Sequence, residues 1–356
     1  MTKLRVTVFF GGFTIGGGQR VVSEIIKNID QSQIELTVLC FEGKANTAME
    51  QEAEKVCSII YLNEKGKVTL AKARRIFAAL KATKPDIVHV HLGGMVYVVP
   101  WALLHSTPLL ITAHTKPEKA FPRQVLPLIR WGLRRRKIRI AAVSKENLAM
   151  MREYFQLNDE RLVYVNNGID LKIYYAKRHE IFTFINVARQ DENKNQVQII
   201  RCFAEVHKRH PNTKLILVGD GPCHQMLKDQ VHDRGLHESV DIMGMQSNVE
   251  EYYAVSDVYV QSSHREALPM SVLEAMASGL PIITTDVGGM RDIVSTNGYL
   301  IPDNDDKAML NAMLEIIDMP KQDYCQMQKS SRSIVEEYSS ENMATKYMAI
   351  YHGLKQ

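Results

Sequence analysis

The chain has 356 residues, more than one hydrophobic core usually serves, so we expect two domains. Its 45% hydrophobic and 24% charged residues are typical of a globular protein and exclude a disordered chain. The five cysteines are odd in number and form no C-x-x-C pair, which indicates a reducing cytoplasm without a disulfide framework or zinc site. The sequence predicts no signal peptide, and no apolar run reaches the roughly 18 residues that a spanning helix needs.

The net charge of +4 is unevenly divided along the chain. Residues 1–170 hold 25 Lys and Arg against 15 Asp and Glu, whereas the remainder holds 19 against 25. A basic half can face an anionic membrane surface, nucleic acid or phosphorylated molecules. Scattered solvated charge explains the same counts, so the charge alone leaves both interpretations open.

Short β-branched runs alternate with amphipathic helical stretches, which predicts parallel sheets with crossover helices. The predicted strands are LRVTVFF, IELTVLC, SIIYL, DIVHVHL, PLLITAH, IRIAAVS and LVYVN, then FTFINVA, KLILVG, VDIMG, VYVQSS, PIITTDV and GYLIP. Uniformly apolar strands such as KLILVG are typical of a doubly wound sheet that is buried on both faces. A glycine turn near residues 166–180 separates the two predicted domains, 1–170 and 171–339. An amphipathic helix over 340–356 is expected to pack back on the first domain.

The turn after the first strand, GGFTIGGGQR, is the first candidate binding site. Gly16, Gly17 and Gly18 precede a helix, where glycines let a ligand approach the backbone and the helix N-terminus attracts anions. The dinucleotide pattern G-x-G-x-x-G cannot be aligned here, because Val21 occupies the third glycine position. A flexible loop without a ligand is the alternative.

Segment 116–139 is strongly basic and partly apolar. It holds nine cations and one acid, together with Phe121, Leu126, Leu128, Ile129, Trp131 and Leu133. A basic helix with an aromatic residue at its boundary can lie on an anionic bilayer. A helix with one face in the core and a solvated basic face fits the same sequence, so this alternative stays open.

In the second half, the turn after FTFINVA reads RQDENKNQ and places Arg189 five residues before Lys194 at the start of a helix. An arginine fork and a mobile lysine ammonium can together hold a diphosphate. Two solvated cations beside Asp191 and Glu192 are the alternative. The GDGP turn at 219–222 is of the kind that clears space beside a ligand.

The stretch HREALPMSVLEAMASGLPIIT places two acids at a strand end and in the following helix. Pro269 suits the first helical position and Gly279 suits the end of the helix. Glu266 is predicted in the loop before this helix, and Glu274 in its second turn among apolar neighbours. A buried carboxylate without donors costs several kcal/mol. Either a basic side chain or the hydroxyls of a bound sugar can supply those donors.

Several motifs in this order resemble glycosyltransferase family 4, whose retaining enzymes have the GT-B fold of two facing Rossmann-like domains. The resemblance covers essentially the whole chain. Its motifs are GGGQRVVSEI, ITAHT around His114, AVSKEN, NNGID, R-x4-K, LVGDGP, the E-x7-E pair from Glu266 to Glu274, and EAMASGLPIITTDVGG. The final helix resembles the family's crossover segment. Two departures are Ala267 and Asn195, which stand where many members have glycine.

The resemblance implies a role for each matching residue. Arg189 and Lys194 would hold the donor diphosphate and stabilise the leaving group's charge. Glu266 would bind hydroxyls of the transferred sugar, and His114 would lie near that sugar. The remaining implied donor-binding residues are Gly16, Gly17 and Gly18 for the phosphates, Leu268, Pro269 and Met270 at the helix start, Glu274 for the ribose, and Met245 for the base.

We therefore expect a retaining glycosyltransferase that moves a hexosyl or N-acetylhexosaminyl group from a nucleotide sugar, with UDP the preferred nucleotide. The expected acceptor is a saccharide hydroxyl, on a lipid-linked chain made for a surface polysaccharide. No metal or other cofactor is expected, since no Asp-x-Asp follows a strand and two cations can supply the charge. No nucleic-acid partner is expected, and the enzyme is placed in the cytoplasm at the inner face of the plasma membrane.

Two alternatives remain open. A nicotinamide-dependent oxidoreductase would use the first glycine turn, but it leaves Arg189, Lys194, Glu266 and Glu274 unexplained. A non-catalytic GT-B partner subunit would bind the donor without transferring it.

Overall fold

The computed structural model describes residues 3–14, 16–177 and 179–355. Five residues lie outside the described ranges. They are Met1 and Thr2 in the predicted first domain, Ile15 in the predicted glycine turn, Arg178 near the predicted domain join, and Gln356 in the predicted final helix. The chain divides into two compact units. The N-terminal unit comprises Met1–Gly168 and Ser340–Gln356, and the C-terminal unit comprises Ile169–Ser339. The predicted boundary between the two domains lies after Asp170, and the boundary observed in the structure lies after Gly168.

The N-terminal unit is built on a seven-stranded parallel sheet. Its strands are β1 (Leu4–Phe10), β2 (Ile34–Cys40), β3 (Ser58–Tyr61), β4 (Ile87–Val90), β5 (Leu109–Ala113), β6 (Ile138–Ala142) and β7 (Leu162–Tyr164). They lie in the order β3-β2-β1-β4-β5-β6-β7, with Leu4 opposite Ile34 and Val6 opposite Ile87. The order reverses beside β1, and such switch points are where ligands bind in open parallel sheets.

Between these strands the described residues form the helices α1 (Gly17–Asn28), α2 (Ala48–Val56), α3 (Leu70–Ala82), α4 (Met95–Leu104), α5 (Pro117–Ala120), α6 (Leu126–Arg134) and α7 (Lys145–Phe155). The core beside α4 and α6 contains Val98, Ile129 and Leu133 packed against strand residues such as Ile111 and Ile140. The central strands β1, β4, β5 and β6 are almost wholly buried, because helices cover both sides of the sheet.

The C-terminal unit has a six-stranded parallel sheet in the order β10-β9-β8-β11-β12-β13. The strands are β8 (Phe182–Val187), β9 (Thr213–Val218), β10 (Val240–Met243), β11 (Val258–Gln261), β12 (Ile282–Thr285) and β13 (Gly298–Ile301). The helices are α8 (Gln196–Arg209), α9 (His224–Asp233), α10 (Val249–Ala254), α11 (Met270–Ala277), α12 (Asp306–Asp318) and α13 (Lys321–Val335). Short 3-10 helices cover Leu171–Ile173, Gly288–Asp292 and Glu336–Tyr338. The predicted α/β fold with doubly wound parallel sheets is confirmed.

The last helix, α14 (Ser340–Lys355), belongs to the N-terminal unit although it follows the C-terminal unit in sequence. Its Tyr347 and Tyr351 are fully buried against β4 and β5. The Tyr351 hydroxyl lies 2.6 Å from Nδ1 of His89, and the Tyr347 hydroxyl lies 3.1 Å from Oγ1 of Thr112. The helix therefore completes the core of the first sheet.

Segment 116–139 is helical over part of its length. The segment forms α5, a turn, α6 and the start of β6. Pro117 and Pro127 each stand in the first turn of a helix, where proline is favoured because its missing N–H has no helical partner. Helix α6 buries Ile129 and Leu133 and leaves Trp131 exposed, so the core-facing interpretation of this segment holds for part of its length.

Candidate functional site

The two predicted cations of the C-terminal unit lie in the turn between β8 and α8. The Lys194 backbone N–H donates to the Asp191 carbonyl at 3.0 Å and to its carboxylate at 3.2 Å, which closes a tight turn. The Arg189 side chain is 71% exposed, and its Nε lies 3.6 Å from an Asp191 carboxylate oxygen. This distance is longer than a hydrogen bond, so the guanidinium keeps most of its donors for a ligand.

Lys194 and Glu266 form an ion pair although they are far apart in sequence. Nζ of Lys194 lies 2.5 Å from Oε1 of Glu266, and the two side chains are only 19% and 10% exposed. Strand β8 pairs directly with β11, so the turns that follow these strands meet at the carboxyl edge of the sheet. The Ser262 hydroxyl, just after β11, lies 2.9 Å from the Lys194 carbonyl and 2.8 Å from the Asn195 carbonyl. The structure thus brings together two of the predicted catalytic residues.

Glycines let two further turns approach this pair. A Cβ on Gly221, in the turn after β9, would lie 2.3 Å from the Gln190 carbonyl oxygen. Gly288, in the turn after β12, has φ of +62°, and a Cβ there would lie 2.3 Å from the Glu266 carbonyl oxygen. Real side chains do not tolerate either distance, so both positions need glycine. The turns after β9 and β12 therefore buttress the Arg189 and Glu266 segments.

Glu274 lies on α11 and is 2% exposed. Tyr253, which is fully buried on α10, places its hydroxyl 3.1 Å from Oε2 of Glu274 and 3.1 Å from the Ser271 carbonyl. Burial and then the nearby Glu274 charge raise the pKa of Tyr253 well above its usual range, so its hydroxyl stays a donor. The sequence predicted that a basic side chain or the hydroxyls of a bound sugar would donate to Glu274. The tyrosine hydroxyl is a donor that was not predicted.

The start of α11 differs by one residue from the prediction. The helix begins at Met270, and Pro269 is the residue before it, with φ of −71° and ψ of 134°. Pro269 is therefore not the first helical residue. Leu268 and Met270 are buried on either side of it. The predicted end is correct, since Gly279 has φ of +80° and follows the last turn.

In the N-terminal unit, Gly16 precedes α1 and Gly17 and Gly18 are its first residues. A Cβ on Gly18 would lie 2.7 Å from Cδ1 of Leu92, which follows β4. His114 follows β5, and its Nε2 lies 3.0 Å from Nδ1 of His91. The turns after β1, β4 and β5 are thus contiguous, and they carry the glycines and His114 to one edge of the sheet.

Burial governs the protonation of these histidines. Burial lowers the pKa of His114 to about 4. Burial also lowers the pKa of His91 well below its usual range, and repulsion from His89 and His114 lowers it further. Both rings are therefore neutral at pH 7. A neutral imidazole has one donor and one acceptor nitrogen.

Met245 lies in the turn after β10, as predicted, and is 55% exposed. Strand β10 is at the edge of the sheet and is separated from β8 by β9. No hydrogen bond or ring contact joins Met245 to Lys194 or Glu266, so its assignment to the base stays a prediction.

Across the described ranges, no three His, Cys, Asp or Glu side chains are grouped so that they can hold a metal ion. Within the same ranges, no helix is both long and apolar enough to cross a membrane. All five cysteines fall in the described part of the chain and are free thiols.

Sequence reasoning missed four contributors to these sites: Tyr253, Ser262, Gly288 and His91. The D-V-G-G run after β12 and the two histidines of IVHVHL were visible signals for Gly288 and His91. Tyr253 and Ser262 had no comparable signal, because their roles depend on which helix and turn lie beside Glu274 and Lys194.

Two family models match the chain. The model described as Glycosyltransferase Family 4 matches residues 15–173. The model described as glycosyl transferases group 1 matches residues 172–333. The two matches together span most of both units.

Curated relatives and solved structures agree with these matches. The chain is 24% identical over 313 residues to N-acetyl-alpha-D-glucosaminyl L-malate synthase of Bacillus anthracis, with 80% of this chain and 78% of the relative covered. It is 24% identical over 336 residues to the UDP-Gal:alpha-D-GlcNAc-diphosphoundecaprenol alpha-1,3-galactosyltransferase of Escherichia coli, covering 85% of each. The Anabaena protein HepE, solved in complex with UDP-glucose, superimposes with a TM-score of 0.82 at 17% identity, covering 98% of this chain and all of HepE. At this identity the superposition supports the fold alone.

Proposed function

Because the chain is a glycosyltransferase of family 4 with the GT-B fold, we propose that it transfers a hexosyl or N-acetylhexosaminyl group from a UDP-sugar to a hydroxyl of a lipid-linked saccharide. The UDP-glucose complex of HepE supports the choice of nucleotide. The diphosphoundecaprenol in the name of the Escherichia coli relative supports a lipid-linked acceptor. A role in surface polysaccharide synthesis follows from such an acceptor. The names of the relatives above favour neither an oxidoreductase nor a non-catalytic subunit.

The Lys194–Glu266 ion pair is the observation that carries this proposal. Glu266 neutralises Lys194 at the edge of the sheet where nucleotides bind in such folds. An incoming diphosphate carries more negative charge than one carboxylate and competes for the same ammonium. Lys194 then binds the diphosphate with Arg189, and Glu266 is released to accept hydrogen bonds from hydroxyls of the sugar.

The roles that the resemblance implies for the other residues are likewise proposals. The backbone N–H groups of Leu268 and Met270 address phosphate or sugar oxygens, whereas Pro269 has no N–H to donate. Glu274, fixed by Tyr253, accepts from the ribose. Gly16, Gly17 and Gly18 approach the phosphates, His114 contacts the sugar, and Met245 borders the base.

We assign transfer with retention of anomeric configuration. The bond between the anomeric carbon and the diphosphate breaks, and its electron pair leaves with the phosphate oxygen. The acceptor oxygen attacks on the same sugar face, and its hydroxyl proton passes to the departing phosphate. Arg189 and Lys194 stabilise the charge that grows on that phosphate, which is the electrostatic contribution a metal ion otherwise makes. The proposal therefore includes no metal or other cofactor.

The first experiment is a thermal-shift panel of UDP-, GDP- and ADP-sugars. A ligand present at a hundred times its dissociation constant adds about 2.7 kcal/mol to the free energy of unfolding. We expect a UDP-sugar to give the largest shift. Stabilisation by NAD without any response to nucleotide sugars would contradict the proposal.

The second experiment measures donor hydrolysis and transfer. Arg189→Ala should lower kcat about 100- to 1000-fold, since it removes a charged donor from the leaving group. Arg201→Ala is the matched control, because Arg201 is also an arginine of this unit paired with an aspartate, Asp306, at 2.5 Å. Equal activity of the two variants would refute the role of Arg189.

We further propose that α6 contacts the cytoplasmic face of an anionic membrane, where a lipid-linked acceptor lies. Trp131 is 49% exposed, and Arg135 stands over its ring at 5.7 Å. Arg134 and Arg136 extend this basic and aromatic surface. Tryptophan and arginine side chains favour the interface between lipid and water. No nucleic-acid partner is part of the proposal.

Flotation with liposomes tests this contact. The protein should float with anionic liposomes and not with zwitterionic ones, and Trp131→Ala should weaken the association. Trp101→Phe is a control, because Trp101 is buried and cannot reach lipid in the folded unit. A protein that ignores anionic liposomes would rule out this membrane contact.

A further inference from the structure

Three histidines at the carboxyl edge of the first sheet form a buried cluster. His89 and His91 are fully buried on and after β4, and their ring centroids are 4.0 Å apart. His91 in turn contacts His114, which is half-buried after β5. The proposed function uses only His114. The other two histidines therefore need an explanation, because buried polar rings are costly unless they are hydrogen-bonded.

His89 is fully satisfied. Its Nδ1 lies 2.6 Å from the Tyr351 hydroxyl and its Nε2 lies 2.8 Å from Oγ1 of Thr112. Thr112 lies in turn 3.1 Å from the Tyr347 hydroxyl. These contacts with α14 fix His89, whose ring then supports one face of His91.

His91 differs, because only one of its nitrogens has a partner among the described residues. Nδ1 lies 3.0 Å from Nε2 of His114, whereas Nε2 of His91 is buried and has no hydrogen-bond partner in that part of the chain. One of the two facing nitrogens must carry the proton, since both rings are neutral. If His114 donated, His91 would carry its own proton on the buried Nε2, as an orphaned N–H. If His91 donates from Nδ1, its buried Nε2 is only an unused acceptor.

Orphaned buried N–H groups are rarer in proteins than underused acceptors. The second arrangement is therefore favoured, and it makes Nε2 of His114 the acceptor. The proton of His114 must then be on Nδ1, which is not among the buried unpartnered atoms and hence reaches solvent.

We propose that His91 is a positioning residue that holds His114 in the Nδ1–H tautomer, so that His114 presents a hydrogen-bond donor to an oxygen of its ligand. The matching ligand atom is a hydroxyl or phosphate oxygen that accepts a hydrogen bond. His114 does not serve as a general base, because its only lone pair is occupied by His91. The consequence for transfer rests on the proposed function, whereas the tautomer itself does not.

Nitrogen-15 NMR of the ligand-free, histidine-labelled protein at pH 7 tests the tautomer. Protonated and unprotonated ring nitrogens differ widely in chemical shift, and His114→Gln identifies the signals of His114 by their loss. We expect a protonated Nδ1 and an unprotonated Nε2. A proton on Nε2 would overturn the inference whether or not the protein is a transferase.

Two substitutions at His91 test the positioning role. His91→Phe keeps a ring of similar size and removes the donor, whereas His91→Asn keeps an amide N–H near the position of Nδ1. The His114 signals should lose the fixed tautomer in His91→Phe and keep it in His91→Asn. Thermal unfolding of both variants establishes that they fold.

Kinetics separate positioning from folding. A hydrogen bond to a charged or reacting group contributes about 1.5–3 kcal/mol, which corresponds to about 10- to 100-fold in rate. We expect kcat of His91→Phe to fall by that factor with little change in KM, and His91→Asn to recover most of it. Unchanged kcat in a folded His91→Phe would refute the positioning role even if the tautomer were as inferred. If the wild type transfers no sugar, the NMR result alone decides the inference.

Discussion

At the scale of single residues, the Lys194–Glu266 pair links the stability of the C-terminal unit to the proposed donor site. Two side chains that are each less than one-fifth exposed neutralise each other across two neighbouring strand ends. A partly buried charge that loses its partner is costly, so each residue stabilises the other. The same pair must open for the proposed donor to bind, which links stability to function at this edge of the sheet.

Removing one partner should therefore destabilise the C-terminal unit. We expect Lys194→Ala to lower the free energy of unfolding by about 1–3 kcal/mol, because Glu266 is left without its cation. The double variant Lys194→Ala/Glu266→Gln should be less destabilised than the sum of the single variants. Urea unfolding measures this coupling. Lys177→Ala, which breaks an exposed pair with Glu251, is the control and should cost less than about 1 kcal/mol.

The histidine cluster predicts how stability depends on pH. Burial lowers the pKa of His89, His91 and His114 in the folded protein, that of His114 to about 4, whereas unfolded histidine titrates near 6.5. Below about pH 6.5 the unfolded state binds protons that the folded state does not. The free energy of unfolding should thus be highest above that pH and fall as the pH drops toward 4.

Each histidine can contribute a slope of at most about 1.4 kcal/mol per pH unit. Urea midpoints between pH 7 and 5 measure the slope. His91→Phe should make the slope shallower. His232→Gln, at an exposed histidine, should leave it unchanged. A stability independent of pH in this window would contradict the burial of neutral histidines.

At the scale of elements, glycine acts in two different ways in the C-terminal unit. Gly279 ends α11 with φ of +80°, and a Cβ there would meet only the Arg332 side chain, at 3.7 Å. Gly298 begins β13, where a Cβ would lie 1.9 Å from the Ile282 carbonyl oxygen. The first position needs glycine for its backbone conformation, and the second needs it for space.

The two requirements predict different costs. Gly279→Ala should lower the free energy of unfolding by about 1–2 kcal/mol, the cost of a left-handed conformation for a residue with a Cβ. Gly298→Ala should cost more, about 3 kcal/mol, because the strands must separate to admit the methyl group. Chemical denaturation of both variants measures the order. A smaller effect at Gly298 would show that β12 and β13 shift apart easily.

Most elements were predictable from the sequence because their periodicity is local. The runs from LRVTVFF to GYLIP all contain strands, and Gly279 ends its helix as expected. Pro117 and Pro127 mark the two helix starts within 116–139, and both are visible in the sequence. The ion pair between Lys194 and Glu266 could not be predicted from the sequence, because it depends on β8 lying beside β11. Tyr253 was missed for a similar reason, because α10 packs beside α11.

At the scale of the whole molecule, the chain leaves the N-terminal unit at Gly168 and returns to it at Ser340. The Ile169 N–H donates to the Tyr338 carbonyl at 3.0 Å, so the C-terminal unit begins and ends at one point. Each unit has its own core and its own sheet. The contacts of α14 are the reason that the N-terminal unit needs residues from both ends of the chain.

Deleting residues 340–356 should therefore destabilise the N-terminal unit, although the C-terminal unit is the one adjacent to the deletion in sequence. The N-terminal unit would lose the buried Tyr347 and Tyr351, so His89 would lose the Tyr351 hydroxyl and Thr112 the Tyr347 hydroxyl. We expect limited proteolysis to cut within residues 1–168 and to spare residues 169–339. Deletion of Lys355 and Gln356 alone is the control. An intact N-terminal unit in the longer truncation would show that α14 contributes little to its core.

The position of α14 also bears on how the protein is made. Domains generally fold in the order in which they leave the ribosome, N-terminal first. Here the N-terminal unit lacks α14 until residues 340–355 have been translated, whereas the C-terminal unit, Ile169–Ser339, can fold earlier. During synthesis His89 on β4 and Thr112 on β5 thus remain uncovered by α14, and nascent chains released before Ser340 should be the ones that chaperones retain.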